Sequence, residues 1–391
     1  MHRKIFLALL AITTALGVVP AGAALSATSI PAAFNELLKI PALSNPAMIL
    51  IDETTGEVVY ERNSNSQRKP ASVMKILSAT ATLEYLDPHS SFQTNLFLGS
   101  EPKTLVIQGS FDPWISASDV VAKKMHRTSL PRLAFNAMTA LKAANRGSLK
   151  NIKVLYSGIY SQDVATLKAF WAKRGFKPTM KSVGDEERSS MEGKLVLSST
   201  SPSIAEILNF TLLWSDNLLA ERLARLASKA AGHGLNDQGV ALTFSELLTK
   251  LNIDSSKLVI ADASGLSKEN RITAQIIGEL LLKTRRDEKF ALLYGSLPVS
   301  GVSGTLKDRF LKTAPNAVGL VHAKTGTLNG TVTLAGYVEA GDREYVFVTL
   351  ADEIRTGSRA ENLARAAIDR LLGRIAAPNI QAELSDASKT P

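Results

Sequence analysis

Strand-like segments lie at both ends of this chain, and helix-like segments fill the space between them. An alternation of this kind is typical of an α/β protein in which the first and last strands meet in one sheet. A sheet of this kind forces the two termini of the folded domain to lie together. The strand-like segments are residues 48–51 and 57–60 near the start and residues 320–323, 331–338 and 345–350 near the end.

The middle of the chain divides into a mixed part and a helical part. Residues 93–198 combine short strands with helices, which predicts an inserted small α/β subdomain. The last helix, over about 359–376, repeats apolar residues at i, i+3, i+4 and i+7, so one face is expected to pack on the sheet. The predicted helices are 71–86, 131–144, 164–174, 201–214, 218–230 and 359–376, and the strands of the insert include 104–107 and 152–155.

The first residues have the pattern of an export signal. Arg3 and Lys4 precede an apolar run from Ile5 to Val19, and an Ala-x-Ala pattern ends at Ala23. About fifteen apolar residues are few for a membrane span of about 20. We therefore expect residues 1–23 to be a signal peptide and the mature protein to be exported, periplasmic or extracellular, without a stable membrane anchor. An uncleaved anchor is the alternative.

Composition excludes several classes of protein. The chain has 391 residues and no cysteine, so it is neither a disulfide-stapled miniprotein, nor a thiol enzyme, nor a Cys-ligated metal protein. Its histidines lack metal-ligand spacing, and no metal or other cofactor is expected. The net charge is +9, but no block of Lys and Arg stands out. A nucleic-acid partner is therefore not expected.

One Ser-x-x-Lys sequence lies where a helix is predicted to begin. In Ser72-Val73-Met74-Lys75, the i, i+3 spacing places Ser72 and Lys75 on one helical face. The same pattern at Ser66 lies in a polar loop, and the pattern at Ser100 contains a proline, so neither has the required helix. The motif is weak alone, because Ser-x-x-Lys is frequent by chance.

Two further motifs each occur once. Ser215-Asp216-Asn217 lies between two predicted helices, where its simplest role is to cap the second. Lys324-Thr325-Gly326 follows a predicted strand, where it could simply end an edge strand. Ser-x-x-Lys, Ser-Asp-Asn and Lys-Thr-Gly in this order are together the signature of class A β-lactamases and penicillin-binding proteins.

The sequence resembles the penicillin-recognising serine enzymes, and within them the D-alanyl-D-alanine carboxypeptidase/endopeptidase family of class C penicillin-binding proteins. The resemblance covers roughly residues 45–110 and 199–375. It implies a β-lactamase/transpeptidase-like fold: an antiparallel sheet from N- and C-terminal strands, flanked by helices, with a helical region. The domains expected are a transpeptidase-like domain at 24–92 and 199–378, an inserted subdomain at 93–198 and a polar tail at 379–391.

The resemblance also implies a role for each motif residue. Ser72 would be the nucleophile and Lys75 its general base, provided that burial and the nearby Lys324 cation keep the lysine neutral. Ser215 would relay a proton to the leaving amine, and Asn217 would bind the substrate amide. Lys324 and Thr325 would hold the terminal carboxylate, and Gly326 would let the substrate approach. The backbone N–H groups of Ser72 and Thr327 would form the oxyanion hole.

The implied function is a serine-type D-Ala-D-Ala carboxypeptidase, with endopeptidase activity left open. Its partners would be peptidoglycan stem peptides that end in D-Ala-D-Ala, and β-lactam antibiotics. A β-lactamase is disfavoured because residues 248–258 contain no Glu where class A enzymes carry the deacylating one. A non-catalytic peptidoglycan-binding module is disfavoured because it need not keep both a nucleophile and its base.

The sequence also predicts the surroundings of four residues outside the motifs. Trp171 and Trp214 lie in helical runs and are expected in the core. Asp262 and Glu221 are expected to be solvated or to have a capping role, and the alternative is that they bracket the site.

Overall fold

A computed structural model describes residues 25–378 as two sheets with surrounding helices. The predicted signal peptide at 1–23 and tail at 379–391 lie outside the described residues. The strands are β1 (Ala47–Asp52), β2 (Val58–Arg62), β3 (Ser91–Gly99), β4 (Thr104–Gly109), β5 (Lys153–Ser157), β6 (Thr179–Ser182), β7 (Glu192–Ser203), β8 (Val321–Leu328), β9 (Thr331–Ala340) and β10 (Arg343–Ala351).

The helices differ widely in length, and short 3₁₀ turns connect several of them. None of the described helices is both long and apolar enough to cross a membrane. The α-helices are α1 (Ile30–Leu37), α2 (Met74–Tyr85), α3 (Asp119–Met125), α4 (Leu130–Ala144), α5 (Ser161–Ala172), α6 (Asp185–Ser190), α7 (Ile204–Trp214), α8 (Asn217–Ala230), α9 (Asp237–Lys250), α10 (Ala274–Arg285), α11 (Ala291–Gly295) and α12 (Ser358–Gly373).

The first sheet joins the two ends of the chain, as predicted. Its strand order is β2-β1-β10-β9-β8, and every neighbouring pair is antiparallel. Strand β1 pairs with β10 from Ala47 opposite Leu350 to Asp52 opposite Tyr345. The chain therefore has the expected antiparallel sheet built from early and late strands, and β8 forms one edge of this main sheet.

Helices cover both faces of this sheet because its strands are apolar on both sides. One core lies between the sheet and helices α2 and α7 to α10, and it includes Ile49, Leu77 and Val348. The second core lies against α1 and α12, and it includes Leu50 and Ile368. The helix that follows Ser72 is thus held between the sheet and other helices.

The second sheet is built from the middle of the chain, with strand order β6-β5-β4-β3-β7. Strands β4, β5 and β6 run parallel, whereas β3 is antiparallel to both its neighbours. Helices α4 and α5 pack on it around a separate core that contains Leu133 and Trp171. The boundaries predicted for the insert, 93 and 198, stay a prediction.

Candidate active site

Ser72 lies in a 3₁₀ turn, Ala71–Val73, immediately before α2. Ala71 has φ 47°, in the left-handed region that an alanine rarely adopts. The turn is held from one side by Gly265, since a Cβ there would lie 1.8 Å from the Ala71 carbonyl oxygen. Packing against this glycine loop stabilises an otherwise unfavourable backbone conformation beside the Ser72 hydroxyl.

Lys75 lies one helical turn further on and is almost completely buried. Its Nζ donates to Ser72 Oγ at 2.9 Å, to Asn217 Oδ1 at 2.7 Å and to the Ser264 carbonyl at 2.7 Å. Burial lowers the pKa of Lys75 to about 8, although the charges of nearby carboxylates oppose this shift. A lysine in this setting can exchange a proton with the serine near neutral pH.

Ser215 and Asn217 come together at the junction of α7 and α8. Ser215 ends α7 in a left-handed conformation with φ 59°, and Asp216 caps α8 by accepting from the Leu219 N–H. The capping role expected for Asp216 is therefore present. Because the chain turns sharply here, the side chains on either side of Asp216 contact different lysines. Asn217 accepts from Lys75, and Ser215 accepts from Lys324.

Lys324 is completely buried on β8. Its Nζ donates to Ser215 Oγ at 2.9 Å and to the Thr325 carbonyl at 2.9 Å. Burial lowers the pKa of Lys324 well below the usual range, and the positive charge of Lys75 lowers it further. An anionic ligand group beside Lys324 would oppose this shift, because a nearby negative charge favours the protonated form of a lysine.

The free edge of β8 presents backbone groups toward this cluster. Near the start of β8, the Ala323 N–H donates to the Pro298 carbonyl, and the Val321 carbonyl accepts from the Ser300 N–H. Both bonds lie on the side of β8 away from β9. Because antiparallel strands repeat every two residues, the N–H groups of Thr325 and Thr327 point to the same outer side. The N–H of Thr327 thus has the direction that an oxyanion-hole donor needs.

The side chains of Thr325 and Thr327 make contacts outside the lysine cluster. Thr325 Oγ1 lies 2.8 Å from Thr305 Oγ1, and Arg365 on α12 donates to Thr327 Oγ1 at 3.2 Å. Thr305 and Arg365 were not identified from sequence. The Thr305 hydroxyl could have been suspected from its Gly-rich loop, but nothing in the sequence pattern marks Arg365.

Gly326 has a packing role that the sequence did not indicate. A Cβ there would lie 2.2 Å from Thr333 Oγ1 and 2.9 Å from the Ser72 nitrogen. The missing side chain therefore lets β8 pack against the turn that carries Ser72. The expected close approach of a substrate at Gly326 stays a prediction.

The loop at 262–267 is held by Asp262 and Glu221, so the structure favours the alternative that they bracket the site over the solvated or capping role that was expected. Glu221 accepts from the N–H groups of Ala263 and Ser264 at 3.0 and 2.8 Å. Asp262 accepts from the Gly265 N–H at 2.6 Å. These bonds aim the Ser264 carbonyl at Lys75, so both acids take part in the site through the loop.

The two tryptophans differ in position. Trp171 is buried in the core of the insert, as expected. Trp214 is 53% exposed, so the prediction of a core position was wrong. It is the last residue of α7, where the chain turns left-handed at Ser215, and the end of a helix leaves a side chain with fewer neighbours.

The charge of Glu221 provides a test of the site's electrostatics. Glu221→Gln keeps an oxygen that can accept from the loop but removes a negative charge that raises the pKa of Lys75. The resemblance implies that Lys75 is a general base, which only its neutral form can be. On that assignment, we expect the acid limb of the kcat/KM–pH profile to lie near pH 8 in the wild type and to move to lower pH in the variant. Thermal unfolding provides the folding control, and a limb that moves upward contradicts this electrostatic assignment.

Comparison with known families gives one match over most of the chain. The model of the D-Ala-D-Ala carboxypeptidase 3 (S13) family matches residues 31–161 and 143–375. Carboxypeptidase DacB of Mycolicibacterium smegmatis is 28% identical over 382 aligned residues, which cover 85% of this chain and 83% of the relative. The D-alanyl-D-alanine carboxypeptidase of an Actinomadura species is 27% identical over 451, with the same coverage of 85% and 83%.

Solved structures share the fold. Penicillin binding protein 4 of Haemophilus influenzae superposes with a TM-score of 0.66 at 17% identity, covering 86% of this chain and 98% of that one. A predatory endopeptidase of Bdellovibrio bacteriovorus superposes with a TM-score of 0.55 at 16% identity, covering 85% and 93%. These likenesses extend through the main sheet and the insert alike, since they cover most of the chain.

Proposed function

This chain belongs to the D-Ala-D-Ala carboxypeptidase 3 (S13) family and is a serine-type D-Ala-D-Ala carboxypeptidase, and on that premise we propose that it works through an acyl-enzyme on Ser72. The observation that carries this proposal is the pair formed by Ser72 Oγ and the buried Lys75 Nζ, 2.9 Å apart. A serine becomes nucleophilic when a nearby base removes its proton, and the lowered pKa of Lys75 suits it for that step.

The proposed acylation begins with transfer of the Ser72 proton to Lys75. The oxygen attacks the carbonyl between the two D-alanines, and the negative charge that forms on the carbonyl oxygen faces the N–H groups of Ser72 and Thr327. The C–N bond breaks, and the proton that Lys75 received passes through Ser215 to the leaving amine, which returns Lys75 to its neutral form. D-Alanine departs, and water then hydrolyses the ester with Lys75 again as the base. The orientation of the Thr327 N–H toward the free edge supports this arrangement.

Substrate recognition is assigned to the groups around the lysine pair. We propose that Lys324 and Thr325 hold the terminal carboxylate and that Asn217 binds the substrate amide. Among residues 25–378, no carboxylate is hydrogen-bonded to the buried Nζ of Lys324, and this supports the first assignment. Asn217 uses its oxygen for Lys75, which leaves its amide N–H₂ to donate. Gly326 contributes by holding β8 against the Ser72 turn.

The natural substrate follows from the family's chemistry. We propose peptidoglycan stem peptides that end in D-Ala-D-Ala as substrates, and β-lactams as inhibitors that acylate Ser72. A β-lactam complex is known for the Haemophilus influenzae penicillin binding protein 4. The apolar run at residues 5–19 supports an exported location, in the periplasm or at the cell wall.

One experiment tests the acyl-enzyme directly. The purified protein is incubated with a fluorescent penicillin, digested and analysed by mass spectrometry, and D-alanine release from a D-Ala-D-Ala peptide is measured in parallel. We expect a stable adduct on the peptide containing Ser72, together with D-alanine release. Rapid turnover of the penicillin would indicate a β-lactamase, and absence of both adduct and release would indicate a binding module.

A second measurement tests the role of Lys324. We expect Lys324→Ala to reduce kcat/KM for free-acid substrates ten- to a hundredfold more than for matched C-terminal amides, because a charge-assisted contact is worth about 1.5–3 kcal/mol. The amide acts as an internal control, since any general damage to the buried site affects both substrates. Equal losses for acid and amide would remove Lys324 from carboxylate binding.

A further inference from the structure

Helix α12 carries a basic, partly apolar face on the side of the main sheet away from Ser72. Arg359, Leu363, Arg370 and Arg374 are spaced by four, seven and four residues, so they lie on one side of the helix. All four are exposed, Leu363 by 54%. We call this surface the α12 basic face, and it consists of Arg355, Arg359, Leu363, Arg370, Arg374 and the neighbouring Ile40.

An open groove lies along this face. Ile40, which is 59% exposed, and Leu363 line an open cavity of about 530 Å³, with Arg355 beside them. The same two side chains line an adjoining pocket, where Arg370 is the cation. Each of these two adjoining pockets between α12 and the Pro41–Leu43 turn thus combines apolar side chains with one arginine.

Within the described part of the chain, no salt bridge neutralises the charge of this face. Across residues 25–378, none of its four arginines forms a salt bridge, whereas Arg309, Arg343 and Arg365 all do. The neighbouring acids are engaged elsewhere: Glu361 pairs with Arg365, and Asp369 pairs with Arg309. An anionic partner would therefore meet four cations that have no salt-bridge partner among residues 25–378.

We propose that the α12 basic face is a peripheral docking site for an anionic phospholipid surface. Clustered arginines attract lipid phosphates, and exposed aliphatic side chains beside them can enter the acyl boundary. A soluble polyanion would make use of the arginines but not of the exposed Ile40 and Leu363. Because arginines and exposed aliphatic side chains occur together on this face, a lipid surface is favoured over a soluble polyanion.

The position of the candidate active site is compatible with this orientation. Arg365 lies on the opposite side of α12 from the basic face, and it donates a hydrogen bond to Thr327 of β8. Docking through the basic face would consequently leave the β8 cleft open to substrate.

Vesicle co-sedimentation tests the proposal on the mature chain from residue 24. The vesicles contain phosphatidylglycerol and phosphatidylcholine in equal parts, or phosphatidylcholine alone, at about 0.1 M salt. We expect binding to the anionic vesicles only, weakened by higher salt. The charge reversal Arg359→Glu/Arg370→Glu should weaken binding at least about tenfold, and Leu363→Ser should weaken it several-fold.

A matched control separates local docking from net charge. Lys173→Glu/Lys177→Glu makes the same change in charge on the exposed surface of the insert and should retain binding. Penicillin labelling and thermal unfolding check that every variant is folded. The proposal is overturned if the control pair loses as much binding as the arginine pair or if Leu363→Ser binds like wild type. Binding to soluble polyglutamate with no binding to anionic vesicles overturns it as well.

Discussion

Ser72→Ala is expected to abolish covalent labelling by penicillin and to reduce D-alanine release by about 10⁴-fold or more, because no acyl-enzyme forms without the nucleophile. The hydroxyl accepts one hydrogen bond from Lys75, and the backbone of its turn is held by Gly265 and β8. Removing one oxygen should therefore leave the fold intact. The measurements are intact-protein mass spectrometry after penicillin treatment and a D-alanine release assay.

Ser100→Ala is the matched control, because Ser100 begins another Ser-x-x-Lys sequence that lies in a bend after β3 instead of before a helix. It should retain full labelling and activity. Full labelling of Ser72→Ala would show that another residue is the nucleophile, whatever the control does.

Lys75→Ala is expected to reduce kcat, and the rate of acylation by penicillin, by about 10²–10⁴-fold while reversible substrate binding changes little. Proton removal contributes to the transition state and not to the bound ground state, and general bases are typically worth that factor. Stopped-flow measurement of acylation at several penicillin concentrations separates the two effects.

Packing is the main complication, because Lys75 is buried and alanine leaves a cavity. Lys75→Met fills nearly the same volume without a basic nitrogen. If Lys75 is the base, both variants lose acylation to a similar extent. Recovery of the rate in Lys75→Met, or a loss confined to KM, would show that the lysine only supports the structure.

Local features could be predicted from the sequence because they depend on short spacings along the chain. The Ser72–Lys75 pair is one helical turn apart, and Asp216 caps the helix that follows it, so both geometries are set within a few residues. The strands of the main sheet were also predicted, most clearly β1, β9 and β10, which are apolar runs buried along almost their whole length.

Other elements were missed because their identity depends on distant partners. Strand β7 ends in the polar stretch Ser198–Ser203, which has little strand propensity and is held by pairing with β3. Helix α10 contains Gly278, whose absent side chain accommodates Ile49 of β1, so an unfavourable residue for a helix is required by packing. Neither reason is visible within the segment itself.

In the candidate site as well, the identities of the residues could be predicted from the sequence, whereas their charge states could not. The order of the three motifs identified Ser72, Lys75, Ser215 and Lys324, but their charge states depend on burial. Only the folded chain places the Ser264 carbonyl, held by Glu221, against Lys75 and brings Lys324 within 2.9 Å of Ser215. Side-chain pKa values depend on solvent exclusion and on charges from segments far apart in sequence. The sequence therefore determined which groups are present, whereas the tertiary structure decided which of them can lose a proton.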